Sequence, residues 1–293
     1  MSQPLTAIGL IWLQLFWTLV PTWRFGEYYG YGWFVPVLAA ALAWNRCRTM
    51  ADTGADPPVP PTRISVSLAV GVMLALALIA PLRLVSIADP AWRPPLLLHA
   101  LLVMALTHLL LWKRFTRRIS LRILPVSLFA LTAVPYPYQF EQALIHKLTG
   151  AVAGLAHEIF ILTGRPVELL GERLSIGADV VEVSEGCSGI RSFQSLIMTA
   201  LFFGELLLLS VPRRLLLIGV AAACSLGVNT LRAFTLAEVH FSRGKQVADK
   251  LHDVIGNSAF VISAAILFFA ARCMLPSAPA SRRVVRTTTV VNP

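Results

Sequence analysis

The chain has 293 residues, of which 56% are hydrophobic and 14% are charged, with a formal net charge of +10. Soluble domains carry about 25% charged residues, so this balance favours a polytopic membrane protein over two soluble domains. The basic residues fall in short clusters at the ends of apolar runs and form no separate basic face. This pattern argues against a nucleic-acid partner.

Apolar segments of about 20 residues, the length that crosses a bilayer as a helix, recur along the chain. We expect eight transmembrane helices at about 5–23, 31–46, 64–82, 95–112, 120–135, 189–210, 214–238 and 254–272. A linker rich in Pro, Asp and Thr is expected at 49–62, between the second and third helices. The predicted fold class is an all-α polytopic membrane protein.

Clusters of basic residues flank one set of helix ends. They are Arg46, Arg48 and Arg63, the 113–118 loop with Arg122, Arg213 and Arg214, and Arg272 with Arg282, Arg283 and Arg286. Such clusters mark the cytoplasmic side, so we predict a multi-pass protein of the cytoplasmic (inner) membrane with both termini in the cytoplasm. Residues 1–275 are expected to form one membrane domain, and 276–293 a basic, disordered cytoplasmic tail.

The stretch at about 138–186 breaks the pattern of spans. Apolar residues recur at helical spacing over 138–163 and polar residues fill the other side, so we expect an external amphipathic helix on the outer membrane surface. A ninth span interrupted by charges is the alternative. Short β-like runs at 166–170, 173–176 and 180–183 follow, separated by glycine turns. They predict a small external β-meander before the next helix.

The chain has four cysteines, and only Cys187 maps to the predicted outer side. Cys47 and Cys273 map to cytoplasmic helix ends, and Cys224 falls about halfway along the seventh predicted span. Cys187 therefore has no disulfide partner outside, and it sits at the start of a predicted helix, where the helix dipole favours a thiolate. A reactive nucleophile is one interpretation, and a small buried residue near a helix cap is the other.

Three polar residues on predicted helices could complete a site with Cys187. Arg191 follows one turn later on the same helix face. Arg232 lies about 18 residues, or roughly 27 Å of helix, beyond Arg214, which places it near the outer leaflet at the depth of Cys187. An arginine in a membrane usually faces a cavity and has a function, and a snorkelling side chain is the alternative. Asn229 is on the same face as Arg232 and could orient it.

A general base would come from a histidine on the predicted outer side. His240 and His252 are the candidates there, and the sequence alone does not choose between them. Asp253 is adjacent to His252 and is too close in sequence to be an obvious orienting partner. No His/Glu pair has a spacing such as His-Glu-x-x-His, so neither a metal nor a cofactor is expected.

Three motifs resemble those of the exosortase/archaeosortase family of multi-span membrane cysteine transpeptidases. They are 185–191 (Glu-Gly-Cys-Ser-Gly-Ile-Arg), 229–232 (Asn-Thr-Leu-Arg), and His252 followed by Gly256. The segment 28–36 is similar to the family's Tyr-Ser-His-Gly-Phe-x-Val-Pro segment, with Tyr31 where histidine is common. The stretch 164–167 is also similar to the family, and the resemblance covers about residues 25–272.

The resemblance implies catalysis by Cys187, Arg232 and His252. Cys187 is then the nucleophile that forms a thioester, Arg232 stabilises the oxyanion, and His252 is the general base and acid. The residues expected to support the site or bind substrate are Arg191, Asn229 and Ser188.

The resemblance also implies substrates: secreted proteins whose C-terminal sorting tail has a short motif, a transmembrane helix and a basic cluster. The cut would be made at the outer face of the cytoplasmic membrane. The lipid bilayer and an unidentified acceptor nucleophile are the other expected partners, and the sequence does not separate transfer from hydrolysis. The alternatives are a non-enzymatic multi-span transporter, which would need midplane polar residues and repeated halves, and an envelope-assembly scaffold.

Overall fold

The computed structural model describes residues 2–52, 66–90, 92–177, 179–182 and 189–275. These residues form nine α-helices and three short strands. In chain order the elements are α1 Ser2–Phe25, α2 Val35–Asp52, α3 Val66–Ala88, α4 Pro94–Arg114, α5 Arg117–Ala130, α6 Tyr138–Leu162, β1 Glu168–Leu170, β2 Arg173–Ile176, β3 Asp179–Glu182, α7 Ile190–Leu206, α8 Val211–Arg243 and α9 Lys245–Cys273. Two 3-10 helices, Gly30–Trp33 and Leu131–Ala133, precede α2 and α6.

Six helices in the described part of the chain are long and apolar enough to cross a membrane. They are Leu5–Phe25, Gly71–Ala88, Pro94–Lys113, Tyr138–Leu162, Val211–Arg243 and Lys245–Cys273. The predicted class, an all-α polytopic membrane protein, is confirmed, whereas the predicted number of eight spans is not. The predicted spans on α2, α5 and α7 are not among the six. Helices α5 and α7 have 14 and 17 residues, which is about 21 and 26 Å of helix and shorter than a hydrocarbon core of about 30 Å.

Helix α6 ends within one residue of its predicted range, and it is one of the six helices long and apolar enough to cross a membrane, as the alternative of a ninth span requires. Its first turn carries Glu141, which pairs with Arg93 just before α4. Near its other end, the Phe160 ring lies 4.6 Å from that of Phe234 and 6.1 Å from that of Phe241, both on the last turns of α8. The start of α6 thus contacts the residue before α4, and its end contacts the C-terminal part of α8. Its place on the outer membrane surface stays a prediction.

Several helix boundaries differ from the predicted spans. Helix α2 continues through Asp52, so the first four residues of the predicted linker are helical, and 53–62 lie outside the described residues. Helix α9 begins nine residues before the predicted start at 254. Gly244, with φ of 85°, ends α8, and the polar residues that follow it are already helical. The predicted tail at 276–293 also lies outside the described residues.

The three strands form an antiparallel sheet in the order β1-β2-β3, so the predicted β-meander is confirmed. Both connections are two residues long. Gly171 and Gly177 have φ of 67° and 60°, the left-handed conformation that tight hairpin turns favour. One face of the sheet packs on α6 and α8, where Leu174 is fully buried beside Phe160 and Ala237.

Two buried carboxylates mark the two ends of the helix bundle. Glu205, at the end of α7, pairs with Arg46 of α2 at 2.5 Å and with Arg214 of α8 at 2.6 Å, the latter as an ion pair not aligned for a hydrogen bond. Glu141, at the start of α6, pairs with Arg93 at 2.7 Å. We call these the Glu205 end and, because the sheet lies beside α6, the sheet end.

The segment 28–36, which is similar to the family's N-terminal motif, is held at the sheet end by hydrogen bonds. The Tyr29 hydroxyl donates to the buried Glu141 carboxylate and accepts a hydrogen bond from the Tyr136 N–H at 2.9 Å. Burial, followed by the Glu141 contact, raises the pKa of Tyr29 above its ordinary value, so its hydroxyl stays a donor. Tyr31, which stands where histidine is common, donates to the Thr132 carbonyl at 3.0 Å. The segment thus connects the α1–α2 turn to the start of α6.

Candidate active site

An arginine and a histidine from neighbouring helices meet in the half of the bundle nearer the sheet end. Nη2 of Arg232, on α8, lies 2.8 Å from Nε2 of His252, on α9. A guanidinium only donates hydrogen bonds, so Nε2 accepts this one and carries no proton. The proton of the neutral ring is then assigned to Nδ1, which lies 3.1 Å from Oδ1 of Asp253. His252 is therefore held as a neutral base whose Nε2 lone pair points at Arg232.

Gly256, on α9, leaves room for the guanidinium of Arg232. It follows His252 by one helical turn, and a Cβ added there would lie 3.3 Å from Arg232 Cζ and 3.4 Å from its Nη2. These distances are shorter than most real Cβ contacts, so the guanidinium lies directly against the bare glycine backbone. Glycine in a helix interior destabilises by about 1 kcal/mol relative to alanine, and here it makes room for Arg232.

Arg232 has a hydrogen-bond donor to spare. Its Nε is buried and has no hydrogen-bond partner among the residues that the structure describes. A buried donor without a partner costs about 1–3 kcal/mol. This N–H is therefore available to donate a hydrogen bond to an oxygen that enters the site.

The start of α7 presses against α8 one turn from Arg232. Gly189, the residue before α7, has φ of 75°, and a Cβ there would lie 2.0 Å from Nδ2 of Asn229. Asn229 is 4% exposed and donates from Nδ2 to Ser225 Oγ at 3.3 Å. The Asn229 amide is thus fixed on α8 and supports the backbone at Gly189. Its side chain contacts the residue that precedes α7, and its role in orienting Arg232 stays a prediction.

The structure describes four of the six predicted site residues. Cys187 and Ser188 lie outside the described residues. Arg232, His252 and Asn229 are brought together between α7, α8 and α9, as given above. Arg191, the second residue of α7, has an exposed side chain.

The contacts separate the two candidate histidines. His240 lies eight residues beyond Arg232 on the same helix, about 12 Å along its axis, and its ring packs edge-on against Phe241. His252 is the histidine that reaches Arg232. Asp253 was not expected to orient His252, because the two residues are adjacent. In the structure its carboxylate contacts Nδ1 of the ring, although the Asp253 side chain is 92% exposed.

No group of three His, Cys, Asp or Glu side chains suited to a metal ion occurs among the described residues. The described part of the site offers instead a fixed positive charge, a neutral imidazole and an unfilled N–H donor. These groups can take up a proton and stabilise a developing negative charge.

The apolar helices define a multi-pass membrane protein, and the Arg232–His252 pair gives it a polar site between α8 and α9. The model of the family described as Transmembrane exosortase (Exosortase_EpsH) matches residues 23–269. The chain therefore belongs to the exosortase family, whose members are generally membrane cysteine transpeptidases. Comparison with curated proteins and with solved structures found no match.

Proposed function

We propose that this chain is a membrane-embedded cysteine transpeptidase or protease that removes the C-terminal sorting tail of secreted proteins. The observation that carries the proposal is the 2.8 Å contact of Arg232 with His252, one turn from the point where Gly189 meets Asn229. Cys187 precedes Gly189 by two residues, so covalent connectivity keeps their Cα atoms within about 7 Å. This bound supports the proposal that the thiol of Cys187 reacts together with the base and the guanidinium.

The reaction begins with the proton of Cys187 moving to Nε2 of His252, the nitrogen that carries the lone pair. The thiolate attacks the scissile carbonyl carbon, and the carbonyl oxygen becomes an oxyanion. Protonated His252 can no longer accept a hydrogen bond from Arg232, and the two positive charges repel. The guanidinium then donates to the oxyanion instead, through Nη2 and the unfilled Nε.

His252 next gives its proton to the leaving amine, and the tail departs as the carbon–nitrogen bond breaks. The substrate remains on Cys187 as a thioester. An acceptor nucleophile, or water, loses a proton to His252, attacks the thioester carbonyl and releases the thiol. Asn229 holds the backbone at Gly189, and Ser188 and Arg191 support the site or contact the substrate.

The site is proposed to face the outside of the cytoplasmic membrane. The basic clusters predicted to be cytoplasmic include Arg46 and Arg214, and both lie at the Glu205 end. Arg232 lies toward the opposite end of the helix that carries Arg214, and His252 of α9 lies beside it. The substrate's own spanning helix would lie in the bilayer beside the bundle, with its cleavage motif level with Cys187.

Co-expression tests the proposal. The partner is a secreted protein from the same genome that ends in a short motif, one spanning helix and a basic cluster. We expect cleavage of its tail by the wild type and by Cys273→Ala, which removes a cysteine at the Glu205 end, and none by Cys187→Ala. We also expect a membrane-impermeant maleimide to label Cys187 in intact cells and to spare Cys47. Cleavage by Cys187→Ala contradicts the nucleophile, and labelling of Cys47 alone contradicts the orientation.

A further inference from the structure

The sheet has an open edge along β3. In the β2–β3 hairpin, Ile176 pairs with Asp179 across a two-residue connection, so these two exchange both of their backbone hydrogen bonds. The next pair, Ser175 with Val180, is then a non-hydrogen-bonded pair. The N–H and C=O groups of Val180 consequently point away from β2. No other strand in the described part of the chain pairs with this side of β3.

The open edge is on the side of the sheet that lies over α8. Strands β1 and β2 contact α6, whereas β3 contacts α8. Helix α8 packs along α9, which carries His252. The direction from β1 to β3 thus leads from α6 across α8, and α8 itself carries Arg232. A fourth strand would lie about 4.8 Å beyond β3, further along this direction.

The chain also connects this edge to the proposed nucleophile. Glu182, the last residue of β3, precedes Cys187 by five residues, and Gly189 follows Cys187 by two. A strand laid along β3 would therefore lie within a few residues, along the chain, of Cys187. Open edges with exposed apolar residues are usually blocked in soluble proteins, because they pair with other chains. Val180 is 51% exposed on this edge, between the exposed Asp179 and the partly buried Val181.

We propose that the substrate's extended segment, just ahead of its spanning helix, binds as a fourth strand on the open edge of β3. This inference rests on the proposed function, because it assigns a binding mode to the same site. Main-chain hydrogen bonds to Val180 would supply affinity whatever the side chains, and alternate side chains would face α8 and solvent. Pairing at β3 would bring the scissile carbonyl, which follows the paired residues, toward Cys187 and Arg232.

A proline scan of the two edge strands tests the inference. Val180→Pro removes the outward N–H, and proline is tolerated at a sheet edge. Leu169→Pro is the matched change on the opposite edge, because Leu169 and Leu174 are a non-hydrogen-bonded pair and the Leu169 N–H also points away from β2. With the co-expressed tail-bearing protein, we expect Val180→Pro to slow cleavage about tenfold and Leu169→Pro to cleave at close to the wild-type rate. Val180→Thr keeps the N–H and should recover most of the rate.

Maleimide labelling of Cys187 distinguishes a binding defect from a folding defect, since a folded Val180→Pro protein labels at the wild-type rate. If Val180→Pro labels and cleaves normally while Cys187→Ala is inactive, strand pairing is wrong and the proposed function stands. If wild type and Cys187→Ala behave alike, the proposed function fails first.

Cross-linking gives a second reading that does not depend on proline. A benzophenone amino acid at Asp179 in the Cys187→Ala background should cross-link the co-expressed substrate within the residues ahead of its spanning helix. The same group at Glu168 should not. Cross-links from Asp179 only to a second copy of this chain, or equal substrate cross-linking from both edges, would overturn the inference.

Discussion

Replacing Gly189 by alanine is a sharp test of how α7 meets α8. The added Cβ would lie 2.0 Å from Asn229 Nδ2 and 2.3 Å from its Cγ, whereas ordinary contacts begin at 3.4 Å. One partner must therefore move by at least about 1 Å, and by about 1.4 Å to reach an ordinary contact. Asn229 is buried and hydrogen-bonded to Ser225. We therefore expect the start of α7 to move instead, and Cys187 to move with it. The left-handed φ of 75° adds a strain of about 1–2 kcal/mol.

Gly171→Ala is the matched control for this substitution. Gly171 has a similar φ of 67°, but nothing lies within 4 Å of its added Cβ. Both variants therefore carry the backbone strain, and only Gly189→Ala carries the clash. A misplacement of about 1 Å near reacting groups can lower a rate about 100-fold.

The assay is the rate of tail removal from the co-expressed substrate, with thermal unfolding in detergent as the stability measure. We expect Gly189→Ala to cleave about 100-fold more slowly than wild type, and Gly171→Ala to stay within a few-fold. Equal cleavage rates for the two variants would refute the close packing of Gly189 on Asn229 as the determinant of the thiol's position.

Two further substitutions separate stability from activity. Gly256→Ala should raise helix stability by up to about 1 kcal/mol. It should also lower the cleavage rate, because the added methyl group displaces the Arg232 guanidinium. A variant that gains stability and keeps full activity would contradict this. Glu205→Ala leaves the Arg46 and Arg214 charges without their shared carboxylate. Thermal unfolding should therefore show a free energy of unfolding that is lower by about 3–5 kcal/mol. A decrease under about 1 kcal/mol would contradict a stabilising role for the ion pairs of Glu205 with Arg46 and Arg214.

The sheet and the helix before it could be predicted from the sequence because their signals are local. Glycines at 171 and 177 mark the two-residue turns, and β-branched and leucine residues between them mark the strands. Helix α6 shows its apolar residues at helical spacing along one face. Each of these patterns depends on residues within a few positions of one another.

Helix boundaries were predicted less well, since hydropathy detects where apolar runs begin and not where helices begin. Helix α9 starts at Lys245 because Gly244 ends α8, and its first turns are polar. The apolar run starts near 254, so the predicted helix began two residues after His252, which is the eighth residue of α9. Short helices such as α5 were extended into spans because apolar residues continue past Ala130.

The site depends on contacts between residues far apart in sequence. Gly189 meets Asn229 across 40 positions, and Arg232 meets His252 across 20. Helical spacing could place Asn229 and Arg232 on one face of α8, but it could not say that Asn229 faces α7. The family resemblance chose His252 over His240, and the structure brings His252 to Arg232. Asp253 was set aside as too close, although adjacent side chains can still touch at an exposed ring.

The central claim is that Cys187 forms a thioester with the substrate, and direct detection of that adduct tests it best. The protein is purified with the co-expressed tail-bearing substrate after rapid acid quenching, digested, and analysed by mass spectrometry. We predict a substrate fragment attached to Cys187 that hydroxylamine releases and that the Cys187→Ala protein lacks. Tail removal that proceeds with no such adduct, or with an adduct on a different residue, would contradict the account.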